Sequence, residues 1–249
     1  MFKLTLIKAV KLFLVPTILA LIWFLTSTKT SIFFPPPDIV FAALLDDVNT
    51  NNSLMLDIVI SIKRLIIGSL IGISLGLVVG TILGANNQVY SYFSSTVNGL
   101  KCVPTTALIP FVIMIFGMTE IATVTVIAIS SSIPSLITAI NAVHSVKQKY
   151  SVLAQNLELT NIERMTKIFI PGAMPEIFTG IDLSINLSFK MMVLAEMLGA
   201  NAGLGFRLME NSHYLNFDKV LYVIIILCVL SILITGLIGV IRKWSLKWV

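Results

Sequence analysis

Charge is what this 249-residue sequence has least of: Asp, Glu, Lys and Arg make up 12% of it. Soluble domains carry about 25%. With 57% of residues hydrophobic and a mean hydropathy of +0.97, a water-soluble fold would leave too much apolar surface exposed, so the solvent is largely lipid. Cysteine is nearly absent. Cys102 and Cys228 stand alone in apolar stretches, without metal-ligand spacing, which excludes a disulfide scaffold and leads us to expect two small buried hydrophobes. His144 and His213 have no companions for metal binding or proton transfer, and no nucleophile–base set is visible. A dense basic patch is also missing. The net charge of +5 comes from residues scattered at the ends of apolar runs, which excludes nucleic acid as a partner and reads as cationic flanks of membrane spans.

What is present are long runs without a charge. Lys3, Lys8 and Lys11 precede a run from Leu12, and no small-x-small cleavage site follows, so an uncleaved first span is expected over 12–28. The apolar stretch 65–100 is too long for one crossing and divides at Ala85-Asn86-Asn87-Gln88. The remaining spans are expected near 62–84, 97–118, 121–143, 176–199 and 220–241. This describes one all-α, polytopic membrane domain with six transmembrane helices. Lys101, Lys147, Lys149, Arg164, Lys167, Arg242, Lys243 and Lys247 fall on the side of the N-terminal lysines. The loop 27–60 carries Lys29 against Asp38, Asp46, Asp47 and Asp57. Lipid is therefore one partner, and both termini are expected on the cytoplasmic side of a cell membrane. Lys63-Arg64 falls at the outer end of span two and calls for a local role or snorkelling.

Gly68, Gly72, Gly76, Gly80 and Gly84 recur every fourth residue, which makes a smooth helical strip for close packing or sliding. Pro104 and Pro110 predict kinks in span three, a feature also found beside pathways. Asp182, Lys190 and Glu196 are costly in hydrocarbon and are expected to face protein or water. The Gly199–Gly205 run lacks both a following Lys-Ser/Thr and a preceding strand, so an outer turn is expected rather than a phosphate loop. The sequence thus offers no cofactor or nucleotide site.

The segment 144–175 is polar and still helical in pattern. Ala154, Leu153 and Leu157 lie on a first helix, and a bend is expected near Glu158–Thr160. Thr160-Asn161-Ile162-Glu163 is a capping box opening a second helix. Met165, Ile168 and Phe169 form an apolar stripe on it, Pro171 is expected to end it, and Pro175-Glu176 to open span five. Such a stripe on a cytoplasmic loop points to a protein partner, the alternative being a hairpin lying on the membrane.

The loop and its neighbours resemble the inner-membrane permeases of bacterial ABC importers of the nitrate/sulfonate/taurine type. The residues carrying the resemblance are Ala154, Ile168-Phe169-Ile170-Pro171, Pro175-Glu176-Ile177, Gly180, Ala195-Glu196-Met197-Leu198-Gly199 and Gly203-Leu204-Gly205. Upstream, Ser61-Ile62-Lys63-Arg64 and Pro104…Pro110…Phe116-Gly117 fit the same pattern, so the likeness runs over about 35–240. It implies a type I importer (MetI-like) permease fold and a second permease subunit, identical or different. It also implies cytoplasmic ATPases bound at the loop, a binding protein outside, and no enzymatic activity in this chain. Val152 stands where the family motif has Glu, and Glu158 where it has a helix-ending Gly; Asp182 and Phe189 replace a frequent Arg and Trp. These departures bear on coupling to the ATPase and on a diverged-partner role without transport. A self-sufficient transporter or channel built on Asp182, Lys190 and Glu196 is the rival reading.

Overall fold

The structure, a computed structural model, describes residues 14, 17, 18, 20–27, 33–50 and 53–246. Its elements are helices: α1 (Pro37–Thr50), α2 (Ser53–Ala85), α3 (Asn87–Cys102), a 3₁₀ turn (Thr105–Ala107), α4 (Leu108–Phe116), α5 (Glu120–Asn156), α6 (Asn161–Gly199), α7 (Leu204–His213) and α8 (Phe217–Ser245). Residues 20–26 are also helical; the rest of the expected first span, with its lysines, lies mostly outside the described residues. Among those residues α2, α5, α6 and α8 are long and apolar enough to cross a membrane, and the α3–α4 pair makes a fifth candidate.

Glycine spacing sets the centre of the fold. A Cβ on Gly72 would lie 2.0 Å from Ser131 Oγ and 2.1 Å from the Ala128 carbonyl. One on Gly76 would meet Ser135 Oγ at 2.0 Å, and one on Gly80 the Leu136 carbonyl at 2.5 Å. Gly68 and Gly84 face Ile127 and Ile140 in the same way. The strip therefore lies along α5 at backbone contact, where packing rather than hydrophobicity drives association in lipid. The serines it meets fold back on their own helix, Ser131 Oγ donating to Ile127 O at 3.0 Å and Ser135 Oγ to Ser131 O at 2.9 Å, so no hydroxyl is left unpaired at this seam. On the other face of α5, a Cβ on Gly180 of α6 would lie 1.9 Å from Thr138 Oγ1. Helices α2, α5 and α6 form one closely packed layer, with α1, α7 and α8 packed against it and α3–α4 along one side.

Several expectations are corrected. Span three is not one kinked helix: α3 and α4 meet at an 81° bend with the 3₁₀ turn between them. Pro104 caps that turn, and Pro110 sits in the first turn of α4, where its missing N–H has no partner to lose. The expected fourth span, 121–143, continues as helix to Asn156 because its polar extension contains no breaker. Pro171 does not end a helix, nor does Pro175 start one. A π-helical turn over Arg164–Phe169 widens the backbone just before Pro171, so the proline that lacks an N–H is absorbed and α6 runs unbroken to Gly199. The loop 27–60 contains α1. Both cysteines are exposed rather than buried. The run 199–205 turns only over 200–203, and Leu204 already begins α7.

Candidate functional site

At one end of the packed layer, α2, α6 and the 200–203 turn converge on one carboxylate. Glu196 is fully buried, with Ser61 Oγ 2.9 and 2.8 Å from its two oxygens. Gly205 N–H donates to Oε2 at 2.9 Å, and Arg64 Nη1 to Oε1 at 3.1 Å. The same Arg64 nitrogen donates to the Ala202 carbonyl at 2.6 Å, and Leu204 N–H donates to Ser61 Oγ at 2.9 Å. A Cβ on Gly203, which has φ +115°, would lie 2.6 Å from the Glu196 carboxyl carbon, so glycine is the residue that lets the turn close over it. The Lys63-Arg64 pair is explained locally: Arg64 neutralises Glu196, and Lys63 and Arg64 lie 3.8 and 3.7 Å from Glu120 at the start of α5. Glu196 is thus buried and charge-paired within the chain.

A second cluster joins the neighbouring ends of α1, α2, α7 and α8. Arg207 bonds Asp47, Asp57 (2.7 Å) and Ser53 (2.7 Å), Lys219 lies 3.2 Å from Asp47, and the Tyr222 hydroxyl donates to Asp47. Asp57 also accepts from Gly203 N–H at 2.8 Å, which ties this cluster to the first. Asp182, farther along α6, pairs with Arg242 of α8 at 3.1 Å. Lys190, the third charge of the span, is exposed.

At the other end, α5 and α6 project as a two-helix stalk. Glu158 adopts φ +51° at its tip, with its N–H on Gln155 O at 2.9 Å, a helix end that a glycine would adopt without strain. Thr160 Oγ1 accepts from Glu163 N–H at 3.4 Å, and the Glu163 carboxylate accepts from Thr160 N–H at 3.1 Å, completing the capping box. Lys167 donates to Glu163 at 2.8 Å; this and the Thr160 bonds hold the Glu163 carboxyl down at about 2. Met165, Ile168 and Phe169 do not face outward. Phe169 is buried, and all three pack with Val143, Val146, Ala173 and Ile177. Ala154 is buried as well. The apolar side chains that the tip presents are Val152, Leu153, Leu157 and Ile162, the last 76% exposed.

The sequence and the fold match known transport proteins. Residues 68–246 match the binding-protein-dependent transport system inner membrane components. The chain belongs to this family. It is 27% identical over 189 residues to a putative aliphatic sulfonates transport permease, SsuC of Bacillus subtilis, covering 76% of this chain and 68% of that one. Similarity extends to the nitrate import permease NrtB of Leptolyngbya laminosa (26%; 83% and 74% covered) and to the taurine transport permease TauC of Escherichia coli (25%; 87% and 82%). Among solved structures, an inward-facing MetNI methionine ABC transporter chain matches with TM-score 0.66 at 19% identity, covering 76% of this chain and 94% of that one. An amino acid ABC transporter matches with TM-score 0.66 over 80% and 97%. The fold is the MetI-like permease fold, and the chain is a permease subunit of an ABC importer. Nothing in the sequence marks Ser131, Ser135, Thr138 or Arg207, which are ordinary polar residues until their partners, at sequence separations as large as 160, are known.

Proposed function

We propose that this permease pairs with a second permease subunit, docks cytoplasmic ATPases through the tip of the α5–α6 stalk, and performs no catalysis itself. An extracytoplasmic binding protein delivers a small solute of the nitrate, sulfonate, taurine or vitamin-precursor class for import. Both termini face the cytoplasm. The observation that carries this reading is the stalk. Helices of 37 and 39 residues extend roughly 55 Å, against a hydrocarbon core of about 30 Å, and both run unbroken from the outer charge clusters to the tip. A push on the tip thus moves the helices that the glycine seam locks together, as a rigid body.

The exposed apolar side chains at the tip support docking there, and those free to meet an ATPase are Leu157 and Ile162 rather than Met165. Ile162→Glu should release the ATPase in a detergent pull-down while the permease keeps its thermal midpoint. Met165→Glu should instead lower that midpoint, since it puts a charge into a packed cluster. Full ATPase retention by Ile162→Glu and Leu157→Glu together would count against docking at the tip. The paired states of Asp182 and Glu196 argue against a self-sufficient carrier built on those charges.

A further inference from the structure

A cleft of about 440 Å³ opens where the end of α2 meets α5 and the first turns of α6. Among the described residues its charged lining is Lys147 and Arg164, both half-buried, and no carboxylate lines it. Lys147 Nζ donates to the Ala85 carbonyl at 2.7 Å, which holds the ammonium at the end of α2. Arg164 Nε donates to the Leu159 carbonyl at 2.8 Å, and its two terminal nitrogens have no partner among the described residues. The uncharged lining adds further donors. Asn86 spends its Oδ1 on the Gln88 and Val89 amides, which leaves its Nδ2 to donate. The side chains of Ser151, Gln155 and Asn161 make no hydrogen bond among the described residues. Glu163, next to Arg164, is taken up by Lys167 and the Thr160 amide.

The register of two helices sets the depth of this cleft. Leu65 to Ala85, the charge-free remainder of α2, rises roughly 30 Å, the thickness of a hydrocarbon core. Helix α5 crosses the same interval in the opposite direction without a charge from 121 to 146, between Glu120, which lies 3.7 Å from Arg64, and Lys147 at the Ala85 carbonyl. The cleft therefore lies at the core boundary, in the headgroup layer. Tyr90 and Tyr150, one turn or less from Asn86 and Lys147, are residues suited to that layer. The abundant anion there is a phosphodiester, which a guanidinium fork and an ammonium both recognise. We propose that the cleft binds an anionic glycerophospholipid such as phosphatidylglycerol, its phosphate held by Arg164 and Lys147 and its glycerol by the neighbouring amides and hydroxyl. Bound there, the lipid ties the end of α2 to the π-helical turn that begins at Arg164, and so anchors the base of the stalk. The leaflet is the cytoplasmic one on the orientation proposed above, whereas the site itself requires only that these helices span the membrane.

The full-length permease, purified with the subunits that accompany it and freed of endogenous lipid, is titrated with phosphatidylglycerol or with phosphatidylcholine of the same acyl chains. Bound lipid is counted by native mass spectrometry. The wild type should bind the anionic lipid about 10-fold more tightly than the zwitterionic one. Arg164→Gln and Lys147→Gln should each lower that preference about threefold or more, and Arg164→Lys should keep most of it. Lys149→Gln removes an exposed charge two residues from Lys147 and outside the cleft, and should leave the preference unchanged. Equal affinity for the two lipids, a preference untouched by both Gln variants in the cleft, or one lost as much in Lys149→Gln would overturn the proposal. Glycerol 3-phosphate and inorganic phosphate, each in large excess, test the other source of the same chemistry. Neither should displace the lipid; displacement by either assigns the cleft to a soluble phosphate and overturns the lipid site. Thermal midpoints in lipid-free detergent complete the test: a preference that falls only in step with the midpoint would give the two cations to folding instead.

Discussion

Glu158 and Gly72 show how a single residue is read at two levels. Glu158 could be recognised as a misfit because the family motif has glycine there, and its φ of +51° is the left-handed conformation that motif implies. An L-residue in that region costs about 1 kcal/mol, so Glu158→Gly should raise the stability of the purified permease by about that amount and keep ATP-coupled uptake. A complete loss of uptake would instead give the carboxylate a role of its own. Gly72 was legible as a packing residue from its four-residue period, but the Ser131 hydroxyl and Ala128 carbonyl it meets were not. Gly72→Ala should destabilise by about 3 kcal/mol, because backbone on the facing side cannot yield. Gly236, where an added Cβ would meet nothing within 4 Å, is the control: Gly236→Ala should be neutral or stabilise by about 0.5 kcal/mol. Thermal midpoints in detergent compare the two. Glu196 marks the limit of reading at this scale. Its cost in hydrocarbon was evident, whereas its partners Ser61 and Arg64 lie 135 and 132 positions away.

Elements were legible where local chemistry decides them. The Thr160–Glu163 box starts α6 as its spacing indicates, and at the expected division of the apolar run Asn86 caps α3 through Oδ1 on Gln88 and Val89 N–H. Length was not legible, since hydropathy reports lipid contact and stops where the stalk leaves the bilayer while the backbone continues as helix. The orientation of the Met165–Phe169 stripe was missed for a related reason: periodicity shows that a helix has an apolar face, and here α5 covers it. Glu163 gives the element a pH signature. Its carboxyl titrates at about 2 when folded against an ordinary 4.5, so the capping contribution is complete above the ordinary value and is lost only as pH falls through the folded one. Hydrogen-exchange protection of the Arg164 amide, which bonds Thr160 O at 2.9 Å, should therefore stay constant from about pH 8 to 5, after correction for the intrinsic rate. A decline within that window would show that the cap depends on a different group.

The whole molecule divides into a part knit by backbone contact and a part that is not. Between α2, α5 and α6 the glycines bring the helices to backbone contact, and Gly172 extends the seam into the stalk, its Cβ position 2.9 Å from Val146 Cγ1. The broken span is held differently: α3 reaches α5 through the small Leu83, Val97 and Ile140 cluster, and a cavity separates Leu100 from Leu183. If ATP drives the stalk and its layer as one body, motion has to appear where the packing is loose, at the face between α3–α4 and α6. Two crosslinks made in a background with Cys102 and Cys228 replaced by Ser separate these cases. A short bifunctional thiol reagent across Val146→Cys and Gly172→Cys joins residues within the rigid part and should leave most ATP-driven uptake intact. The same reagent across Leu100→Cys and Leu183→Cys bridges the cavity and should stop uptake while ATPase co-purification persists. Uptake surviving the second crosslink and failing with the first would place the moving boundary inside the stalk, and the glycine seam would then be a track rather than a weld.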